Sequence, residues 1–255
     1  MKIFVISLDD QHERRAAITK QLHGLGLGLN FEFFDAVRGT DNPLQHFPTI
    51  SNFQYQLNTR REPLPNEVGC YASHLSMWNR CVELGEPVVI MEDDFVAQSS
   101  FPDALEAASL LIDRFGFIRF EPFRREARLT RSRQGARKII GQGSFELFYL
   151  ADPPLCMTAY AVSPESARAL AEASAKLVGP VDKFIQRTWD HRVPLFALNP
   201  PSITVSEQAD ASTIGSRRNK SKNPLLMLAR LLYKSAGQFQ RGRFNAQQLK
   251  LLGAA

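Results

Sequence analysis

Two rhythms of apolar positions alternate along the first 120 residues, and the switching between them outlines an α/β chain. Lys2–Leu8 is a nearly continuous apolar run, the mark of a strand buried on both faces. Gln11–Leu22 follows as a helix, with Arg14 and Arg15 near its start. Phe31–Val37 alternates as a second strand, whose end carries Asp35, Ala36 and Val37 before Gly39. Gly24, Gly26 and Gly28 lie between the two but lack phosphate-loop spacing, so they predict a turn. Residues 40–63 are polar and interrupted by proline, which predicts a loop or lid. From Asn66, a suitable N-cap, the residues Val68, Tyr71, Leu75, Trp78 and Val82 recur at helical spacing to about Leu84. Gly85-Glu86-Pro87 then opens a third buried strand. The β-α-β order thus occurs twice within 95 residues, the pattern of a parallel sheet with helical crossovers.

The second half continues in kind. Residues 103–115 predict an amphipathic helix, Phe117–Phe120 a short strand and Leu155–Val162 another. Ser163-Pro164-Glu165 opens a helix with serine as cap and proline in the first turn. Gly179-Pro180-Val181-Asp182 closes it and leads into Lys183-Phe184-Ile185. Pro224 starts a last helix, with Leu225, Leu228, Leu232 and Phe239 toward one side and Arg230, Lys234 and Arg241 on the other. This expects one domain over residues 1–215 and a basic amphipathic tail over 216–255. The tail suits an acidic membrane surface, and equally a helix packed on its own domain or on a partner.

The third strand carries the most pointed chemistry, because Val88-Val89-Ile90-Met91 runs straight into Glu92, Asp93 and Asp94. Open α/β sheets bind ligands beyond the carboxyl ends of their strands. Strand alternation would send Glu92 and Asp94 to one side and Asp93 to the other. An acid-x-acid pair of that kind suits a hard divalent cation shared with substrate phosphates, while a strand-end turn or a helix cap explains the same acids. Cys70 and His74, four apart on a helix, could share a metal, but packing accounts for them without one. Arg124, Arg125 and Arg128 head a run of seven cations in fifteen residues whose one acid is Glu126. That run is either a solvated loop or a binder of an anionic acceptor.

Composition narrows the class. Hydrophobic residues make up 44% and charged residues 22% of the 255, as in a globular domain. Three cysteines without CxxC spacing argue for a reducing compartment and against a disulfide scaffold or zinc site. The start lacks a signal-peptide pattern, and no apolar segment reaches the roughly 18 residues of a membrane span. A cytoplasmic protein, peripheral on the inner membrane face, is expected. Nine of the 31 cations follow Asp210 and no acid does, so residues 1–210 hold 22 cations against 26 acids. Such an acidic body with a cationic tail favours an anionic surface over nucleic acid.

Several segments, taken in order, resemble glycosyltransferase family 25, the bacterial lipooligosaccharide galactosyltransferases and their collagen-modifying relatives. They are Ile6-Ser7-Leu8 with Arg14-Arg15, Asp35-Ala36-Val37 with Gly39, Glu67–Cys70 with Ser73-His74-Leu75, and Met91–Asp94. Thr158–Ser163, Pro180-Val181-Asp182 and Gln208 through Ser212 to Ile214 continue the series. The resemblance implies an α/β, GT-A-like fold with a mostly parallel sheet flanked by helices, a UDP-sugar donor and inversion at the anomeric carbon. It implies nucleotide-sugar contacts from Ser7, Leu8, Arg14, Asp35, Ala36, Val37, Glu67, His74, Glu92 and Asp93. It makes Asp94 the principal ligand of Mn2+ or Mg2+, with Glu92 beside it, although glutamate in the first position departs from the literal Asp-x-Asp motif. The donor is expected to be UDP-galactose, with UDP-glucose next, and the acceptor a lipid-linked lipooligosaccharide or LPS-type saccharide. Direct displacement needs a general base. Asp182 is the first choice, with Asp152, Asp190 and Glu67 in reserve. A metal-dependent phosphohydrolase shares the acidic strand tip and is the competing enzyme class. A non-catalytic adaptor would leave that tip unexplained.

Overall fold

The computed structural model of the protein describes residues 1–27, 31–123, 136–206 and 220–253. Its first half runs β1 (Lys2–Ser7), α1 (His12–Gly24), β2 (Phe31–Asp35), β3 (Thr49–Ile50), α2 (Asn52–Thr59), α3 (Pro65–Leu84), β4 (Val88–Glu92), β5 (Phe95–Ala97), α4 (Phe101–Phe115) and β6 (Phe117–Arg119). The second half runs β7 (Ala136–Gln142), β8 (Phe145–Leu150), β9 (Ala159–Val162), α5 (Pro164–Ala173), β10 (Lys176–Leu177), α6 (Val181–Ile185), α7 (Thr188–His191), β11 (Phe196–Asn199), β12 (Ile203–Val205) and α8 (Pro224–Gly253).

Eight described strands form one sheet in the order β2-β1-β4-β9-β6-β11-β8-β7. Strict alternation places Phe4, Ile6, Val88 and Ile90 in the core under α3 and α5. Ile3, Val5, Val89 and Met91 face the other core, under α1 and α4. This is the α/β architecture expected, a central sheet flanked by helices. Parallel pairing, however, is confined to β2-β1-β4 and β6-β11. β9 runs antiparallel to both β4 and β6, and the β7-β8 hairpin adds an antiparallel edge, so the sheet is mixed rather than mostly parallel. The β7-β8 hairpin turns the chain over, and β8 and β9 then both run against β4, β6 and β11.

The order β2-β1-β4 matters most for function. The chain leaves β1 through α1 to reach the edge strand β2, then returns through α3 to the other side of β1. The strand order therefore reverses between β1 and β4, and their carboxyl ends open a crevice at Ser7 and Glu92.

Three expectations need correction. The lid expected over 40–63 contains a 3-10 turn at Pro43–His46, the short β3 and the helix α2. Ser51 Oγ accepts from the Gln54 amide at 3.4 Å, and Tyr55 and Leu57 are buried. Two buried apolar side chains in a helix of about two turns are too few to register as a period. The α3 cap is Leu64 with Pro65 in the first turn, two residues earlier than Asn66. β9 begins only at Ala159, because residues before it form an irregular wall described below.

His191 ties α7 to α6: its Nε2 lies 3.1 Å from the Ile185 carbonyl, and the Val193 amide donates to Nδ1 at 3.2 Å. The ring is therefore neutral with its proton on Nε2. Burial, with Arg187 adding to it, pushes its pKa down to about 4. An unfolded histidine titrates near 6.5, so this contribution is complete above about pH 6.5 and is lost as the pH falls toward 4. Thermal melts at neutral and mildly acidic pH should show a drop worth up to roughly 3 kcal/mol. His191→Gln should flatten that drop; an equal drop in the variant would locate the acid sensitivity elsewhere.

Candidate active site

A pocket of about 490 Å³ occupies the crevice at the β1 and β4 tips, a size ordinary for a small-molecule site. Ser7 and Leu8 enter from β1, and Ala36, Val37, Arg38 and Gly39 from the segment after β2. Asn66, Glu67, Cys70, Ser73 and His74 line it from α3, with Glu92, Asp93 and Asp94 from the β4 tip. Leu155–Thr158 and Pro180–Asp182 close the far side.

The α3 wall is held close by interlocking backbone. A Cβ on Gly69 would meet the Val37 carbonyl oxygen at 2.5 Å, and one on Gly39 would overlap Asn66. Only glycine permits this approach. Ser73 Oγ accepts from the Val37 amide and donates to the Gly69 carbonyl, both at 2.9 Å. The Ala36–Gly39 step and the α3 motif thus form a single cradle. Arg38 then pairs with Asp9 and Asp10 beyond β1, holding both carboxyls below their usual range.

The acids at the β4 tip have three different environments. Glu92 continues the alternation of Val88 and Ile90 toward α3, where its Oε1 lies 3.0 Å from His74 Nε2 and 3.7 Å from Cys70 Sγ. His74 Nδ1 is 2.9 Å from the Tyr160 hydroxyl, which accepts from Trp78 Nε1 at 3.0 Å. With the Glu92 carboxylate as the acceptor of the Nε2 proton, Nδ1 of the neutral ring accepts the hydroxyl proton of Tyr160, whose oxygen takes the indole N–H of Trp78. The strand stops at Glu92, so alternation no longer governs Asp93, and the expectation that it faces away fails. Asp93 lines the pocket, accepting from Ser7 Oγ at 2.7 Å and Arg14 Nη1 at 3.1 Å. Asp94 sits in the turn before β5, and its buried Oδ1 has no hydrogen-bond partner among the described residues. Burial, with Glu92 and Asp93 beside it, pushes its pKa up to about 7.

An uncompensated buried carboxylate oxygen next to a second carboxylate is the donor set a hard divalent cation satisfies. The residues therefore fit Mn2+ or Mg2+. Cys70 Sγ, His74 Nε2 and Glu92 Oε1 also lie within 4.8 Å of one another, a trio that spacing within α3 alone could not reveal. Its thiol is pushed up by burial and by Glu92, Asp182 and Asp94, so it stays protonated and is a poor ligand at neutral pH.

Other expected site residues divide sharply. Leu8, Ala36 and Val37 line the pocket. Asp35 does not; it pairs with Arg15 at 2.5 Å on the outer side. Glu67 is buried against Arg61 at 2.5 Å and Tyr55 at 3.0 Å, anchoring the segment around α2 rather than standing ready to take a proton. Asp190 is bound by Arg187 at 2.5 Å, outside the pocket lining. Asp152 pairs with Arg241 of α8, and of the four candidate bases Asp182 and the buried Glu67 are the ones that line the pocket. Arg124, Arg125 and Arg128 lie outside the described residues, as does Gln208–Ile214. One wall escaped sequence reasoning: buried Arg119 donates to the Pro154 carbonyl at 3.0 Å and to that of Cys156, and pairs with Glu121, which accepts from the Ala159 amide. This ion pair shapes Leu155–Thr158, and no local pattern announces it.

A switch-point crevice beyond the strand tips is where open α/β sheets bind their ligands. The profile described as Glycosyltransferase family 25 (LPS biosynthesis protein) matches residues 1–185, and the chain belongs to that family. A Glycosyltransferase 25 family member of Aedes aegypti is 28% identical over 152 residues, covering 58% of this chain and 20% of that protein. A Glycosyltransferase 25 family member of Anopheles gambiae is 30% identical over 156 residues, covering 58% of this chain and 21% of its own. The chain thus spans about a fifth of the length of these relatives.

Replacing Tyr160 with phenylalanine removes the oxygen that serves both Trp78 and His74 in a buried setting. Unfolding by denaturant should show a loss of about 1–3 kcal/mol. An unchanged midpoint would mean the chain from Trp78 to Glu92 carries no load.

Proposed function

We propose that the protein is an inverting hexosyltransferase that moves galactose, or failing that glucose, from a UDP-sugar to a hydroxyl of a lipooligosaccharide or LPS-type saccharide. Family membership supports glycosyl transfer as the class of activity. The observation that carries the finer reading is the unpartnered Asp94 Oδ1 beside Glu92, in the same pocket as Asp182. Asp94 and Glu92 would hold Mn2+ or Mg2+, which when bound neutralises charge on the diphosphate as it leaves.

The protein's own groups do the rest. His74 orients Glu92, while Ser7 and Arg14 take up the charge of Asp93, so Asp94 keeps the most uncompensated charge. Val37, Arg38 and Leu8 form the end of the pocket suited to the nucleotide. Asp182 accepts the proton of the acceptor hydroxyl as its oxygen bonds to the anomeric carbon. The bond from that carbon to the phosphate oxygen breaks, its electron pair leaving with UDP. Attack opposite the leaving group inverts the centre.

Two measurements test this. Asp182→Asn should lower kcat by about 10²–10⁴-fold while donor affinity changes little. Equal weakening of both would reassign Asp182 to binding. Chelation should abolish transfer and Mn2+ restore it, and Mn2+ should raise the melting temperature of the protein but not of Asp94→Asn. Full activity in chelator would remove the cation, and sugar released to water in preference to saccharide would favour the hydrolase.

A further inference from the structure

α8 presents its two faces in an unusual sense. Its body-facing side buries Leu226 and Phe244 and is tied down by polar contacts: Arg230 Nη1 donates to the Leu57 carbonyl at 2.7 Å, Arg241 pairs with Asp152, and Asn245 Nδ2 donates to the Ala151 carbonyl at 2.9 Å while its Oδ1 accepts from Tyr149 at 2.7 Å. Gly237 lets Trp189 approach, since a Cβ there would meet the indole at 3.3 Å. These contacts fix the rotation of the helix about its axis. The opposite side carries Leu225, Leu228, Leu231, Leu232 and Phe239, each between 57 and 76% exposed. At 3.6 residues per turn they form one stripe.

We propose that this stripe seats the protein on an anionic lipid bilayer, with α8 lying in the interface plane. Charge selects the occupant. No acid follows Asp210, and Lys220 and Lys222 precede the helix while Arg243 and Lys250 continue the stripe at its far end. Arg243 lies over the Phe239 ring, 5.9 Å from its centroid, so cation and apolar surface share one face. An apolar stripe with basic flanks matches acyl chains beneath anionic headgroups. A second copy of the same face would add cation to cation. No helix among the described residues is long and apolar enough to cross a membrane, so α8 rests on the surface. The docking does not depend on the transfer reaction.

Flotation of the full chain with phosphatidylcholine vesicles, with and without phosphatidylglycerol, tests it. The protein should float with the anionic vesicles and lose binding as salt rises. Leu228→Asp with Leu232→Asp should reduce the floating fraction about tenfold or more at unchanged melting temperature, because both side chains are solvent-facing. Arg243→Glu with Lys250→Glu should weaken binding only to the anionic vesicles. Failure to float, equal flotation of the leucine pair variant, or a dimer that this variant dissociates without any vesicle binding would overturn the proposal.

Discussion

Glu92 is held by hydrogen bonds that start in the core and meet open space only at their last atom. Trp78 donates to Tyr160, Tyr160 to His74 and His74 to Glu92. The first three side chains are fully buried, and Tyr160 is stacked between His74 and Phe117, with centroids 5.8 and 4.6 Å away. An unmet polar group in such surroundings is costly, so each partner fixes the next and little freedom remains for the carboxylate. The β4 tip is thereby positioned by α3 and β9 together, not by its own turn. Everything proposed for the pocket relies on that preorganisation.

The same logic links segments far apart in sequence. Gly69 exists to let the Val37 backbone touch α3, and Ser73 converts that touch into two hydrogen bonds. A change in either segment would move the other, which explains why the Ala36–Gly39 step and the α3 motif behave as one structural unit. Asp93 plays a comparable part toward β1, drawing Ser7 and Arg14 to the acidic tip. Three adjacent carboxylates are tolerable because two are compensated. The third, Asp94, is left raised in pKa with its Oδ1 unpartnered among the described residues, an arrangement that protein packing alone gives no reason to keep.

Much of this was legible in the chain itself. The apolar runs at Lys2–Leu8 and Val88–Met91, with helices between, are enough for an α/β sheet, and their acidic terminus marks the crevice. Alternation predicted the direction of Glu92 because β4 persists to that residue, and misplaced Asp93 because it does not. Short elements were opaque: α2 buries only Tyr55 and Leu57, too few for a period. The antiparallel entry of β9 was hidden as well, since a four-residue strand has no mark of direction. Ion pairs were the least visible. Asp152 and Asp190 are chemically fit to be bases, and only the fold shows that Arg241 and Arg187 have taken them.

The case of Asp152 also explains the tail. A cationic helix meeting an acidic body should turn its cations inward, because residues 1–210 carry the excess of acids. Arg241 does so at Asp152, and Arg230 follows by capping a backbone carbonyl near α2. Once those contacts set the rotation of α8, its leucines have no inward position left except those of Leu226, Phe244 and the last turns. The apolar stripe is outside as a consequence of electrostatics on the inside. The orientation that joins α8 to the body is therefore the one that leaves its apolar stripe in solvent.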